Sequence, residues 1–423
     1  MIKTDEKQIR KRRRAELRFR AYGILSLLAA GFALAILMYT IVSSGYTAFY
    51  RASIQLDVQL DAGQMDIKPP FTSDVLMQGR YTSVVKKALY AQFPAVTGRK
   101  ERRALAKLLS PGAELAVRDY LVDDPDSIRD GNTVSVEVPL SSDFDQLYKG
   151  HLPRSGENIR FSKEQLQWYD ALMEAGRIHY FFNPQFLFGG DSRYPELAGI
   201  GGAVVGSFYA LLVCFLLAFP LGIAAATYLE EFSGDTRLAR FIEVNINNLA
   251  AVPSVIFGLL GLAIFLNVFG LPRSTPLVGG MVLSLMTLPT IIIATRASIR
   301  SVSPGVRQAA LAMGASPMQV MFHHVLPVAM PGTLTGTIIG LAQALGETAP
   351  LLMIGMVAFI ANVPATPLDA SASLPVQIYL WAESAERGFV EKTSAAIMVI
   401  MLFLILMNLI AVVIRSRTQM KVE

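Results

Sequence analysis

Glu347 is the sole carboxylate in a run, 308–368, that is otherwise interrupted only by His323 and His324. It lies within Gly346-Glu347-Thr348-Ala349-Pro350. An ionisable group in so apolar a stretch costs a few kcal/mol, so it must face a helix-bundle interior or a hydrated path. The chemistry open to it is electrostatic: gating a route, or organising a basic group. A carboxylate is a poor direct ligand for an anion. Pro350 removes a helical hydrogen bond and Gly346 allows close approach, so the backbone is expected to open there, with Thr348 or water satisfying the freed carbonyls. Thr348 and Gln343 read with Glu347 as lining a route. Arg296 joins them as the one arginine near these helix ends able to reach it from within an apolar run; the alternative is an interface anchor. Bond-making chemistry finds no support. There is no nucleophile–base pair and no Gly-x-x-x-x-Gly-Lys-Ser/Thr phosphate loop. Cys214 is the single cysteine, and the four histidines lack metal-ligand spacing. The chain therefore reads as a non-enzyme with no metal and no bound cofactor.

A second constellation is mechanical. Arg307-Gln308-Ala309-Ala310 is followed by Gly314 and then by Leu326-Pro327. Ser316-Pro317, just after the glycine, is a helix cap followed by proline at the first helical position. The pattern predicts a short helix, a glycine turn, a second short helix, and a proline before the next apolar run. Such a knob between two membrane helices suits coupling to a soluble partner.

The elements that must position these residues are apolar helices. The chain has 423 residues, 52% of them hydrophobic. Charge-free runs cover 21–50, 197–229, 244–272, 274–295 and 393–414. Crossing the hydrocarbon takes about 20 helical residues, so with the 308–368 run the expectation is six spans, the fifth at about 331–358. The first, 21–45, is too long for a cleaved leader and reads as a retained anchor. Nine Lys and Arg in residues 1–20, five of them consecutive from Arg10 to Arg14, place that tail in the cytoplasm. Six spans then return the 416–423 tail to the same side, together with a coupling loop at 300–327. Nucleic-acid binding is not indicated by a basic run abutting a membrane helix.

Residues 46–196 separate the first span from the largely apolar block at 197–415. They hold 18 basic and 20 acidic residues and read as a small extracytoplasmic α+β domain. Ile54, Leu56, Val58 and Leu60 alternate along one strand, and Val134, Val136 and Val138 along another. A helix is expected over 101–121, stopped by Asp123-Asp124-Pro125. A second should open at Ser162 with Gln165 completing a capping box.

The coupling run resembles the signature of ABC importer permeases: Glu-Ala-Ala, three residues, Gly, nine residues, then an aliphatic, any residue, Leu-Pro. Gln308 and His324 stand where that signature has Glu and an aliphatic. Three further blocks resemble phosphate importer permeases of the PstA type: residues 346–352, Ala251-Val252-Pro253-Ser254-Val255-Ile256-Phe257-Gly258, and Phe219-Pro220-Leu221-Gly222-Ile223-Ala224-Ala225. The resemblance covers about 180–415. It implies the type I importer permease fold, a pathway subunit for inorganic phosphate, a second homologous permease, two ATPase subunits carrying ATP-Mg, and a periplasmic phosphate-binding protein, all at the bacterial inner membrane. Two arginines common in that family correspond here to Ile293 and Gln343, and a frequent glutamate corresponds to Arg296. The alternatives are a permease for sulfate or molybdate, or a membrane sensor with an extracytoplasmic ligand domain.

Overall fold

The computed structural model describes residues 6–128, 132–154, 160–357 and 359–419. The first five residues of the basic tail and residues 420–423, which include Lys421, lie outside them. Alternation of apolar residues produces a three-stranded antiparallel sheet in the order β2-β1-β3, with β1 Tyr50–Gln59, β2 Thr133–Pro139 and β3 Ile178–Phe182. Ile54 faces Val138 and Leu56 faces Val136 across β1 and β2, while Ile54 also faces Ile178 of β3. This register puts Ile54, Leu56, Val58 and Leu60 on one buried face against helices. β3 was not foreseen from the sequence. The helix expected over 101–121 is two, Arg99–Ala106 and Ala113–Asp123. Ser110-Pro111-Gly112 separates them, since proline cannot donate the backbone bond that a continuous helix needs. Ser162 and Gln165 form the expected reciprocal cap on Lys163–Glu174.

Five helices are long and apolar enough to span a membrane, or six if one bent pair counts as a single span. The third span begins at Ser254, after a bend in which the amphipathic helix Arg237–Ala250, with Leu238, Phe241 and Val244 exposed, meets Ser254–Val268 at 102°. The second arm is fifteen residues, about 22 Å, long. The centre of the bundle is Pro276–Ser301, packed between Gly201–Thr227 and Pro317–Gly346. Small residues make those contacts: Gly280 abuts Ala210 and Val213, Gly336 abuts Ala294, and Gly332 abuts Ser298. With no hydrophobic drive between helices in lipid, close backbone approach is what packs them.

The long first helix, Glu6–Gly45, touches the bundle at its end, where Gly45 lies against the backbone of Ser394 and Ala395 in Gly388–Gln419. The fifth span does not run to 358. A helix covers Pro317–Gly346, the chain breaks at Glu347-Thr348, and a short helix follows at Ala349–Met353. Nor does Leu326-Pro327 interrupt it. A π-helical segment, Val320–Val325, immediately precedes the proline, and its wider pairing lets the helix run through a residue lacking an N–H.

Candidate functional site

At one end of the bundle, the chain turns from Ser301 into the helix Pro304–Ala312, whose first turn is capped when the Ser303 hydroxyl accepts from the Gly305 N–H. Gly314 then takes φ +87°, a conformation that side-chain-bearing residues rarely adopt, and an added Cβ there would meet open space. Ser316 and Gln319 cap the next helix reciprocally. This knob has its own small core of Ile299, Val302, Ala310, Val320, Met321, Val325 and Ala329. Its outer surface leaves Leu311, Met313, Met318 and Phe322 exposed, Met313 to 89%. Gln308 and Ala309 are exposed beside them, Leu326 is half-buried and Pro327 exposed, while Ala310 is buried.

Arg307 is turned inward. Its guanidinium donates to Glu231 Oε1 at 2.7 and 2.9 Å and to the carbonyls of Val302 at 2.8 Å and Ile299 at 2.9 Å. A cation on the last carbonyls of a helix is favourable, so Arg307 fixes the knob's angle and presents no charge outward. Arg296 behaves alike. It pairs with Glu230 at 2.5 Å and Glu243 at 3.1 Å, and Arg300 pairs with Glu230 at 2.8 Å. Three arginines of one hairpin are thus held by three carboxylates of the preceding hairpin. Glu230-Glu231, at the close of the charge-free run 197–229, was the sequence signal for this lattice.

That geometry separates Arg296 from Glu347. Gly336 packs on Ala294 and Gly332 on Ser298, which sets Arg296 level with position 334. Glu347 is thirteen residues farther, about 20 Å along the helix. The two do not share a site, and Arg296 has its carboxylates already. Glu347 is half-buried at the break, with no ion pair among the described residues. Ile339, Gln343 and Gly346 form an exposed stripe leading up to it. Thr348 is half-buried beside Glu347, and Ile293 on the neighbouring helix is 41% exposed. The break thus opens beside Gly346, at the end of the helix opposite the knob.

The end opposite the knob carries a second ionic cluster, unforeseen from the sequence. Lys149 Nζ lies 2.8 Å from both Asp145 and Glu391, and all three side chains are buried. Burial pulls the Lys149 ammonium down, but the two carboxylates outweigh it and hold its pKa above the ordinary lysine value. The Gln146 amide also donates to Glu391. Lys392 is buried, donates to the Ala48 carbonyl at 3.3 Å and sits 4.4 Å from the centre of the Phe186 ring. Ser110 donates to Glu196 at 2.6 Å, whose carboxyl burial pushes up. The sheet domain is thereby clamped onto the start of Gly388–Gln419.

Residues 218–420 match the family described as binding-protein-dependent transport system inner membrane component, and residues 6–158 match a domain of unknown function, DUF3333. The chain is 31% identical over 219 residues to the phosphate transport system permease protein PstA 1 of Mycobacterium tuberculosis, covering 51% of this chain and 70% of that protein. It belongs to the PstA-type permease family. This permease is also 30% identical over 215 residues to PstA of Haemophilus influenzae, covering 51% of this chain and 74% of that protein. A probable ABC transporter permease of Bacillus subtilis, YqgI, matches at 31% over 168 residues, 40% of this chain. The chain spans only 57% of that relative's length. A solved structure titled as inward-facing conformations of the MetNI methionine ABC transporter aligns at TM-score 0.42 and 18% identity, over 52% of this chain and 94% of that one. By its family match and its apolar helices this permease is a multi-pass membrane protein, and its family is one of transport subunits, not enzymes.

Proposed function

We propose that this permease is the membrane-spanning subunit of an ATP-driven importer of inorganic phosphate. It lines part of the solute route together with a second, related permease. Two ATPase subunits, holding ATP-Mg, dock on the coupling helices of the two permeases, the knob being this chain's. A periplasmic binding protein delivers phosphate at the opposite end. Both termini and the knob are cytoplasmic, and residues 46–196 are periplasmic.

The observation that carries this reading is the similarity to proteins named as phosphate permeases, together with a transport-family match over 218–420 that contains the knob and the Gly-Glu-Thr-Ala-Pro break. The geometry supports it. The knob is a rigid body with an apolar tip, built to transmit force, and the stripe from Ile339 to Gly346 ends at a carboxylate and an open backbone. Glu347, Thr348 and Gln343 belong to the route, where Glu347 organises a basic partner from the neighbouring permease. Arg296 sets the knob's mounting and does not meet the solute.

Uptake of labelled phosphate by cells relying on this transporter, in the presence of excess sulfate or molybdate, tests the solute. Phosphate uptake should persist. Sulfate uptake that ignores excess phosphate would instead favour the other oxyanion. Orientation is tested by Met313→Cys labelling, which is clean because Cys214 is buried. Labelling from outside intact cells would overturn the topology.

A further inference from the structure

Charge on the sheet domain is segregated. Residues 75–113 carry eight Lys and Arg against the single acid Glu101, although the domain as a whole is slightly acidic. Within this region the helices Thr82–Ala91 and Arg99–Ala106 and the start of Ala113–Asp123 enclose a cavity of about 430 Å³. That size lies in the range of small-molecule sites. Lys86, Arg103 and Lys107 line it, and none has an ion pair or side-chain hydrogen bond among the described residues. One acid, Glu114, shares the wall, where it accepts a hydrogen bond from Thr82. The walls therefore carry net positive charge with nothing in the described chain to neutralise it. The buried Lys149 of the same domain, by contrast, is given its own acceptors in Asp145 and Glu391.

Ser110 and Pro111 line one side of the cavity. Ser110 bonds Glu196, and the adjacent Gly112 abuts Leu197. The helix Gly201–Thr227 starts four residues later. This side of the cavity is therefore tied to the segment that leads into an apolar, membrane-length helix, which brings it near the headgroup region of a surrounding leaflet. Val85, Leu109 and Pro111 give the same cavity an apolar side.

We propose that this cavity binds a phosphate group, carried by the headgroup of an anionic phospholipid in the adjoining leaflet or presented as soluble phosphate. Several cations converging on one hollow suit an anion with several acceptor oxygens. The apolar side suits the glycerol portion of a lipid. The site is independent of which solute the transporter carries, because it lies on the sheet domain and not on the route.

The test uses the full chain purified in detergent. Phosphatidylglycerol is titrated in and retained lipid is counted by native mass spectrometry, with phosphatidylcholine as the neutral comparison. The wild type should retain phosphatidylglycerol selectively. The triple variant Lys86→Gln, Arg103→Gln, Lys107→Gln should weaken retention about fivefold per cation removed. The control Lys68→Gln with Lys163→Gln, both exposed elsewhere on the domain, should leave it unchanged. If added inorganic phosphate displaces the lipid, the group comes from solution; if the lipid stays, it comes from the headgroup. Equal retention of phosphatidylglycerol and equal phosphate binding by the wild type and the triple variant would overturn the proposal. So would an equal loss in the control.

Discussion

The two ends of this bundle are both tied by ion pairs, but the pairs differ in their access to solvent. At the knob end, Arg300 is 61% exposed and Arg307 and Glu231 are each 23% exposed, above an Arg296–Glu230 pair that is 11% and 10% exposed. At the domain end, Lys149, Asp145 and Glu391 are at most 7% exposed. The outer pairs at the knob end can exchange with water and re-form in shifted positions. A dry pair cannot separate without stranding a charge in low dielectric. The knob end therefore has more freedom to shift than the domain end.

Breaking the dry clamp should cost most. Glu391→Ala leaves Lys149 with Asp145 alone and strands the Gln146 amide, and about 3–5 kcal/mol should be lost. Thermal unfolding in detergent reads this; a shift equivalent to less than about 1 kcal/mol would erase the contrast between the ends. Arg307→Ala comes next. It removes charged hydrogen bonds to Glu231 and to two helix-end carbonyls, for about 2–3 kcal/mol. Here the readout is ATP turnover stimulated by the binding protein, which should fall sharply while membrane insertion persists. Normal turnover would mean that the knob's angle is set elsewhere. Gly314→Val adds no clash but forces a β-branched residue to φ +87°, at about 1–2 kcal/mol, and should uncouple ATP use from uptake. Unchanged coupling would dissociate the turn from force transfer.

The smallest structural effect belongs to Arg300→Ala, whose exposed pair with Glu230 is worth about 0.2–1 kcal/mol; raising salt should mimic the substitution. Alkali sharpens the same contrast. Lys149 has a native pKa raised above its ordinary value of 10.5. Its contribution is therefore complete below that value and fades only as pH climbs through the higher native one. The clamp should hold through neutral and mildly alkaline conditions, as circular dichroism melts across pH would report.

Local patterns were legible wherever one residue type has one structural use. The alternation in 54–60 gave β1 and its buried face, Ser162 with Gln165 gave a helix start, and Ser316-Pro317 with Gly314 gave the knob. Misreadings arose where a distant partner decides the outcome. The sequence places Pro327 ahead of the next helix, and the π segment before it absorbs the missing donor so that the helix runs on through it. Arg296 reads as able to reach the route because Glu230 and Glu243 are 66 and 53 positions away along the chain. Lys392 is buried by the domain folded over it, which no local pattern announces. Gln343 lies in the last turn of its helix and Glu347 and Thr348 follow at the break, so their nearness in space comes from their nearness in sequence.

One further consequence comes from the short arm at 254–268. At about 22 Å it falls well short of the roughly 30 Å of hydrocarbon that surrounds it. A span that brief is accommodated by local thinning of the bilayer, by flanking polar residues reaching out to the interface, or by cover from a neighbouring subunit. The lipid beside this arm, where the amphipathic helix Arg237–Ala250 turns away, is therefore the place on this permease most sensitive to bilayer thickness.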